Sequence, residues 1–189
     1  MTEPTFKEVM DTSQLQQVLE AIVYVAEDPV KLELLKEILP DESLDKIEMA
    51  MQRLMEEFNA RPGGMMIRQV AGGYRMTTRP EHHEYLRAYL KSRPNAKLSL
   101  AGLETLAVIA YRQPVTMAEI LAIRGKKSTT ALQTLLERKL VAIIGRKPVV
   151  GRPILYGTSK EFLIHFGLKD LSELPTLEEF AQVAGEQLA

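Results

Sequence analysis

Leu103, Leu106, Ala107, Ile109 and Ala110 recur at spacings that put one apolar face on every turn, so a helix is predicted over 99–111. "TMAE" (116–119) is a capping box: Thr116 can accept from the third amide of the next helix while Glu119 reaches back. That helix runs through Ile120, Leu121 and Ile123 to Gly125, where a left-handed stop is expected. A third helix follows Ser128 over 128–139 and buries Leu132, Leu135 and Leu136. Then the period changes. "LVAII" (140–144) and "ILYG" (154–157) are short and rich in branched residues, as strands are. "TSKE" (158–161) reads as another capping box, opening "FLIHFGL".

The same order appears earlier in the chain. Helices are predicted at 14–27 after Ser13, at 31–39 and at 43–58, strands near 65–70 and 73–77, and a helix after Pro80, which suits a first turn because it has no amide to leave unpaired. "LEAIVYVAEDPV" (19–30) lies over "LETLAVIAYRQPV" (103–115), and "LMEEFN…GGYRMTT" over "LLERKL…GRPILYGTS", at a period of about 81 to 84 residues. A repeat that long means two copies of a small domain rather than a solenoid. Three helices and a hairpin make the order of a winged helix-turn-helix. The expected fold is therefore mainly α with small β-hairpins (α+β): two tandem winged-helix domains at 1–92 and 99–170, joined by the polar "KSRPNAKLS" (91–99). An acidic tail at 171–189 carries a further capping box at Thr176 and Glu179.

Composition narrows the chemistry. The 189 residues include no cysteine, which excludes disulfides, thiol nucleophiles and cysteine-held zinc and suits a reducing cytoplasm. The polar, acidic start has no basic stretch before an apolar run, so no signal peptide is expected. Apolar runs such as "LAVIA" stop at about five residues, far short of the roughly 20 a membrane helix needs, so no membrane is expected. Net charge is −1 but uneven. Residues 1–90 hold 10 Lys+Arg and 16 Asp+Glu, residues 91–160 hold 13 and 3, and residues 161–189 hold 1 and 6. The basic block points to an anionic partner: nucleic acid, an acidic protein segment, or a second copy.

Catalysis finds no foothold. His82 and His83 are neighbours on one helix, about 100° apart, and His165 lies on the equivalent helix of the second copy, so converging metal ligands are not spelled out. No G-x-S-x-G, H-E-x-x-H or G-x-G-x-x-G occurs. No catalytic, cofactor or metal residue is expected, and no enzyme.

The loop "GRKPVVGRPILYGT" (145–158) is the most pointed stretch. A phosphate loop would need Lys and Ser or Thr after its last glycine, followed by a helix; here Arg152, Pro153 and a strand follow Gly151. The glycines and prolines describe a hairpin tip, on which Arg146, Lys147 and Arg152 form a cationic wing. The runs "LETLAVIAYRQPVTMAEILAIRG" and "LLERKLVAIIGRKPVVGRPILYGTSKEFLIHFGLKDLSELP" closely resemble the segregation and condensation protein B (ScpB) family, with "IAYRQP", "IRG", "LLER", "GRK", "GRPILYGT" and "FGLKDLSELP" in order. The first half resembles it more loosely, through "GGYRMTTRPE".

The resemblance implies tandem winged helices without catalytic activity, homodimerisation chiefly through the N-terminal domain, and binding to the kleisin ScpA. With SMC these form the bacterial condensin-like complex that compacts and partitions chromosomes, in the cytoplasm at the nucleoid. Expected kleisin contacts are Tyr111, Arg112, Arg124, Arg146, Lys147, Arg152 and Tyr156, since Tyr and Arg are the usual interface anchors. Each also has a plainer reading: Tyr111 and Tyr156 as half-buried core, Arg124 as a helix C-terminal charge, Arg146 as a solvated wing. Met49, Met51, Met55, Met65 and Met66 are expected at the dimer surface, with core filling as the alternative. The other function is a DNA-binding regulator using the basic 91–160 block. The third helix of the first copy argues against DNA there, because Asp45, Glu48, Glu56 and Glu57 would repel phosphate. Direct DNA contact by the second copy stays open.

Overall fold

The structure is a computed structural model that describes residues 10–90, 98–125, 128–176 and 179. The chain divides into two compact units, Met1–Leu90 with Leu168–Ala189, and Lys91–Gly167. The boundary expected at 170 lies three residues beyond the end of the second unit at Gly167.

In the first unit, α1 (Thr12–Val25) begins two residues earlier than predicted. Asp11, not Ser13, caps it, in a reciprocal box with Gln14. Its buried residues, Leu15, Leu19 and Val23, recur at i, i+4 and i+8. α2 (Leu32–Ile38) buries Leu35, and α3 (Leu44–Ala60), capped by Ser43, buries Ile47, Ala50, Met51 and Leu54. Strands β1 (Met65–Val70) and β2 (Gly73–Thr78) form an antiparallel hairpin. Its two-residue turn has positive φ at both Ala71 (50°) and Gly72 (72°), the handedness a tight hairpin requires. Ile67 and Tyr74 close the core from the hairpin side. A short 3-10 turn from Pro80 leads into α4 (His83–Leu90).

Two further features fix this hairpin. Val30 and Tyr74 exchange backbone hydrogen bonds, both 2.8 Å, so the segment before α2 adds a one-residue third strand. On the turn itself, Ala71 N donates to Leu168 O (2.8 Å) and Gly72 N to Lys169 O (3.2 Å). The "LKDLSEL" strap (168–174) therefore lies on the first unit, ending in a 3-10 turn capped by Asp170.

The second unit repeats the plan. α5 (Leu100–Arg112) is capped by Ser99; β3 (Val115–Thr116) precedes α6 (Met117–Arg124); α7 (Ser128–Glu137) leads to β4 (Val141–Arg146) and β5 (Ile154–Thr158), followed by α8 (Lys160–Phe166). The sheet order is β3-β5-β4, all antiparallel. Val115 pairs with Tyr156 as Val30 pairs with Tyr74, so the duplication extends to single backbone pairs. The Thr116–Glu119 capping box forms as predicted. The box predicted at Thr158 does not: Ser159 caps α8 by accepting from Phe162 N, while Thr158 N and its hydroxyl donate to Gln113 Oε1 at 2.8 and 3.1 Å. Thr158 is still in the strand, and its outward amide takes a side-chain acceptor. Gly125 has positive φ (79°) but an extended ψ rather than the left-handed helical stop. In the tail, Thr176 N donates to Glu179 Oε2 and Glu179 N to Thr176 Oγ1.

Candidate functional site

The cationic wing of the second unit is built by β4 and β5. Lys147 N donates to Pro153 O and Arg152 N to Val149 O, both 2.9 Å, which folds 147–153 into a compact turn. Positive φ at Gly151 (84°) and at Arg152 (39°) lets the chain reverse there. Arg146 donates from Nη1 to Arg152 O (3.1 Å), so the two arginines are brought together at the base of the wing, both exposed. Val149 and Val150 stand exposed at the tip.

Two of the predicted cations hold the unit together. Lys147 Nζ lies 2.7 Å from Glu119 Oε1, and Glu119 Oε2 accepts from Thr116 N (2.7 Å) and Thr116 Oγ1 (2.8 Å). These bonds, that of Lys147 first, push the Glu119 carboxyl down to about 2. Lys147 thereby pins the wing to the start of α6. Arg124 is half-buried and pairs with Glu104, joining α6 to α5. Arg112 and Tyr111 are exposed at the end of α5, on a different element from the wing. Tyr156 is a correction: at 9% exposure it is core, because its backbone pairs with β3 on one side and faces Ile143 on the other. On α7, Thr129, Thr130 and Gln133 are exposed, but Gln133 Nε2 donates to Glu137 Oε1 (3.2 Å), a poor arrangement for reading a base.

The methionines of the first unit divide. Met51 is fully buried in the core, a correction to its placement on a dimer surface, because α3 turns it toward Ile47 and Leu54. Met55 is half-buried against the same core and Met66 is half-buried on β1. Met49 and Met65 are exposed, Met49 at 73%.

Met65 lines an open apolar groove of about 520 Å³ with Gln17, Glu20, Ala21, Tyr24, Phe58 and Met76. Sequence reading missed this groove. Its signal was present: "AIVYV" (21–25) is apolar on every side, so α1 cannot bury all of it, and Tyr24 and Val25 remain 76% exposed. The acidic Glu42 was missed too. It is buried, accepts from Met10 N through Oε1 (2.7 Å), and has Lys46 Nζ 2.7 Å from Oε2. The bond to Lys46 holds its carboxyl below the ordinary range, against the opposing effect of burial.

Among the described residues, no three His, Cys, Asp or Glu side chains gather as metal ligands would, and no helix is long and apolar enough to cross a membrane. His82, His83 and His165 lie on the turn before α4, on α4 and on α8.

Fold and site together define a tandem winged-helix protein whose distinctive surfaces are a cationic wing and an apolar groove. Residues 17–177 match the family described as segregation and condensation complex subunit ScpB. The chain is 45% identical to the segregation and condensation protein B of Syntrophotalea carbinolica, covering 94% of this chain and 89% of that one. It is 46% identical to that of Desulforamulus reducens, covering 95% and 98%. A solved structure of ScpB from Mycobacterium tuberculosis is 33% identical, covers 85% of this chain and 99% of that chain, and superposes with a TM-score of 0.42. The chain belongs to the segregation and condensation protein B family.

Proposed function

We propose that this chain is a non-enzymatic adaptor: a homodimer that binds the kleisin ScpA and, through it, joins an SMC complex that condenses and partitions chromosomes in the cytoplasm at the nucleoid. The observation that carries this reading is the family match, which runs through both units at 17–177. The surfaces agree with such work. The groove beside Tyr24 and Met65 is apolar and open, the type of surface a second copy covers. The wing offers Arg146 and Arg152, and the end of α5 offers Tyr111 and Arg112, to an acidic segment. Lys147 and Arg124 contribute by holding these elements in place.

Sedimentation of the pure chain, alone and with ScpA from the same genome, tests it. A dimer that co-sediments with ScpA is expected, as is a tenfold or greater loss of ScpA affinity in the double variant Arg146→Glu, Arg152→Glu. A chain that does not bind ScpA would sink the proposal; full affinity in the variant would remove the wing from it.

A further inference from the structure

The two hairpins end their sheets differently. In the first unit, β1 is an outer strand, and its outward groups at Ile67 are occupied: Asn59 Nδ2 donates to Ile67 O (2.9 Å) and Ile67 N donates to Asn59 Oδ1 (2.8 Å). One side-chain amide imitates a neighbouring strand and closes the edge. In the second unit, β4 is the outer strand. Ile67 faces Met76 across its hairpin and Val141 faces Thr158 across the other, so Val141 holds the matching place. Among the described residues, no side chain bonds to the backbone of Val141–Arg146.

The ladder fixes which groups point outward. Ser159 N donates to Leu140 O (3.3 Å), so Leu140 and Ala142 face β5. Thr158 N turns away to Gln113 and Tyr156 pairs with β3, which leaves Val141 and Ile143, their partners across the ladder, directed outward; Val141 is buried there, and Ile143 is exposed. Ile143 and Ile144 flank this edge at 59% and 52% exposure. The ladder is interrupted between Ile143 and Gly145, and Arg146 and Arg152 follow.

We infer that the edge of β4 at Ile143 and Ile144, where it is exposed, accepts an extended acidic–apolar peptide as an added strand. Main-chain bonds to Ile143 would give the register, Ile143 and Ile144 an apolar seat, and the arginines the charge preference. Charge decides the occupant. A second copy pairing edge to edge would bring two cationic wings together, whereas an acidic strand neutralises one. The inference rests on the reading above that a kleisin is the partner, and names how one stretch of it is held.

Hydrogen exchange of the full chain with and without ScpA tests it, alongside affinities of Ile143→Pro and Ile143→Glu. A proline there removes an outward N–H that the ladder does not use; the glutamate variant keeps the ladder and repels an acid. ScpA is expected to slow exchange at Ile143 at least tenfold while leaving Ile67 unchanged, and both variants to bind ScpA at least tenfold more weakly. Should Ile143→Pro fail to fold, Ile143→Glu carries the comparison. Binding of ScpA with unchanged β4 exchange and undiminished variant affinity overturns this inference alone. Absence of ScpA binding to the unaltered chain overturns the partner reading and this inference together. Concentration-dependent protection of β4 without ScpA makes the occupant a second copy and overturns it.

Discussion

The first and second units share a plan down to the Val–Tyr backbone pair, yet their outer surfaces are opposites. The first has an acidic third helix, a strand edge closed by Asn59 and an apolar groove. The second has a cationic wing, a strand edge exposed at Ile143, and two part-exposed ion pairs that brace α6. The lesson is that the core of a winged helix constrains little of its exterior. A duplicated module keeps the residues that pack and is free to change those that meet partners.

The comparison can be broken at the close approaches inside each unit. A Cβ on Gly73 would lie 2.9 Å from the backbone of Pro29 and of Val30, atoms that cannot move without opening the Val30–Tyr74 pair. Gly73→Ala is expected to destabilise the first unit by about 1–3 kcal/mol, read by urea unfolding. A Cβ on Gly157 would meet side chains instead, Gln113 Oε1 at 2.8 Å and Ile144 Cδ1 at 2.9 Å. Gly157→Ala is expected to cost less, because side chains can rotate; equal costs would deny that the two hairpins are held differently.

Unplugging the first edge comes next. Asn59→Ala removes two bonds to Ile67 and should cost about 1–2 kcal/mol. It should also speed amide exchange at Ile67, making the first hairpin resemble the second. Unchanged exchange would mean that Asn59 does not close the edge.

The smallest effect at neutral pH is electrostatic. Glu42 and Glu119 both titrate below the ordinary 4.5 in the folded chain. A carboxyl lowered by folding adds stability above its unfolded value and loses it as pH falls through the folded one. Stability should therefore decline from about pH 4.5 downward, the Glu119 part continuing toward 2. Glu42→Gln should flatten this decline more than Glu119→Gln, because the bonds of Glu42 are buried and those of Glu119 are screened by water. The reverse order in an acid titration would show that burial does not set the difference.

Much of the fold was legible because it is local. Helical spacing in "LETLAVIA", the capping pair Thr116 and Glu119, and the change of period at Leu140 act over a few residues. The errors were also local and short: the cap of α1 moved to Asp11 and that of α8 to Ser159, since Thr158 was still committed to a sheet. The candidate site was less legible. That Arg146, Lys147 and Arg152 share a wing followed from the turn residues, but that Lys147 is held by Glu119, 28 residues away, did not.

The amino-acid order by itself determined the two modules, their repeat and their split of charge, because periodicity, turn residues and composition are properties of neighbours along the chain. Only the tertiary structure decided that Met51 lies inside and Met49 outside, that Asn59 bonds to one strand edge while the other is exposed at Ile143, and that the strap after Gly167 lies on the first hairpin turn. Those outcomes depend on which distant groups meet, and a one-dimensional pattern carries no measure of that distance.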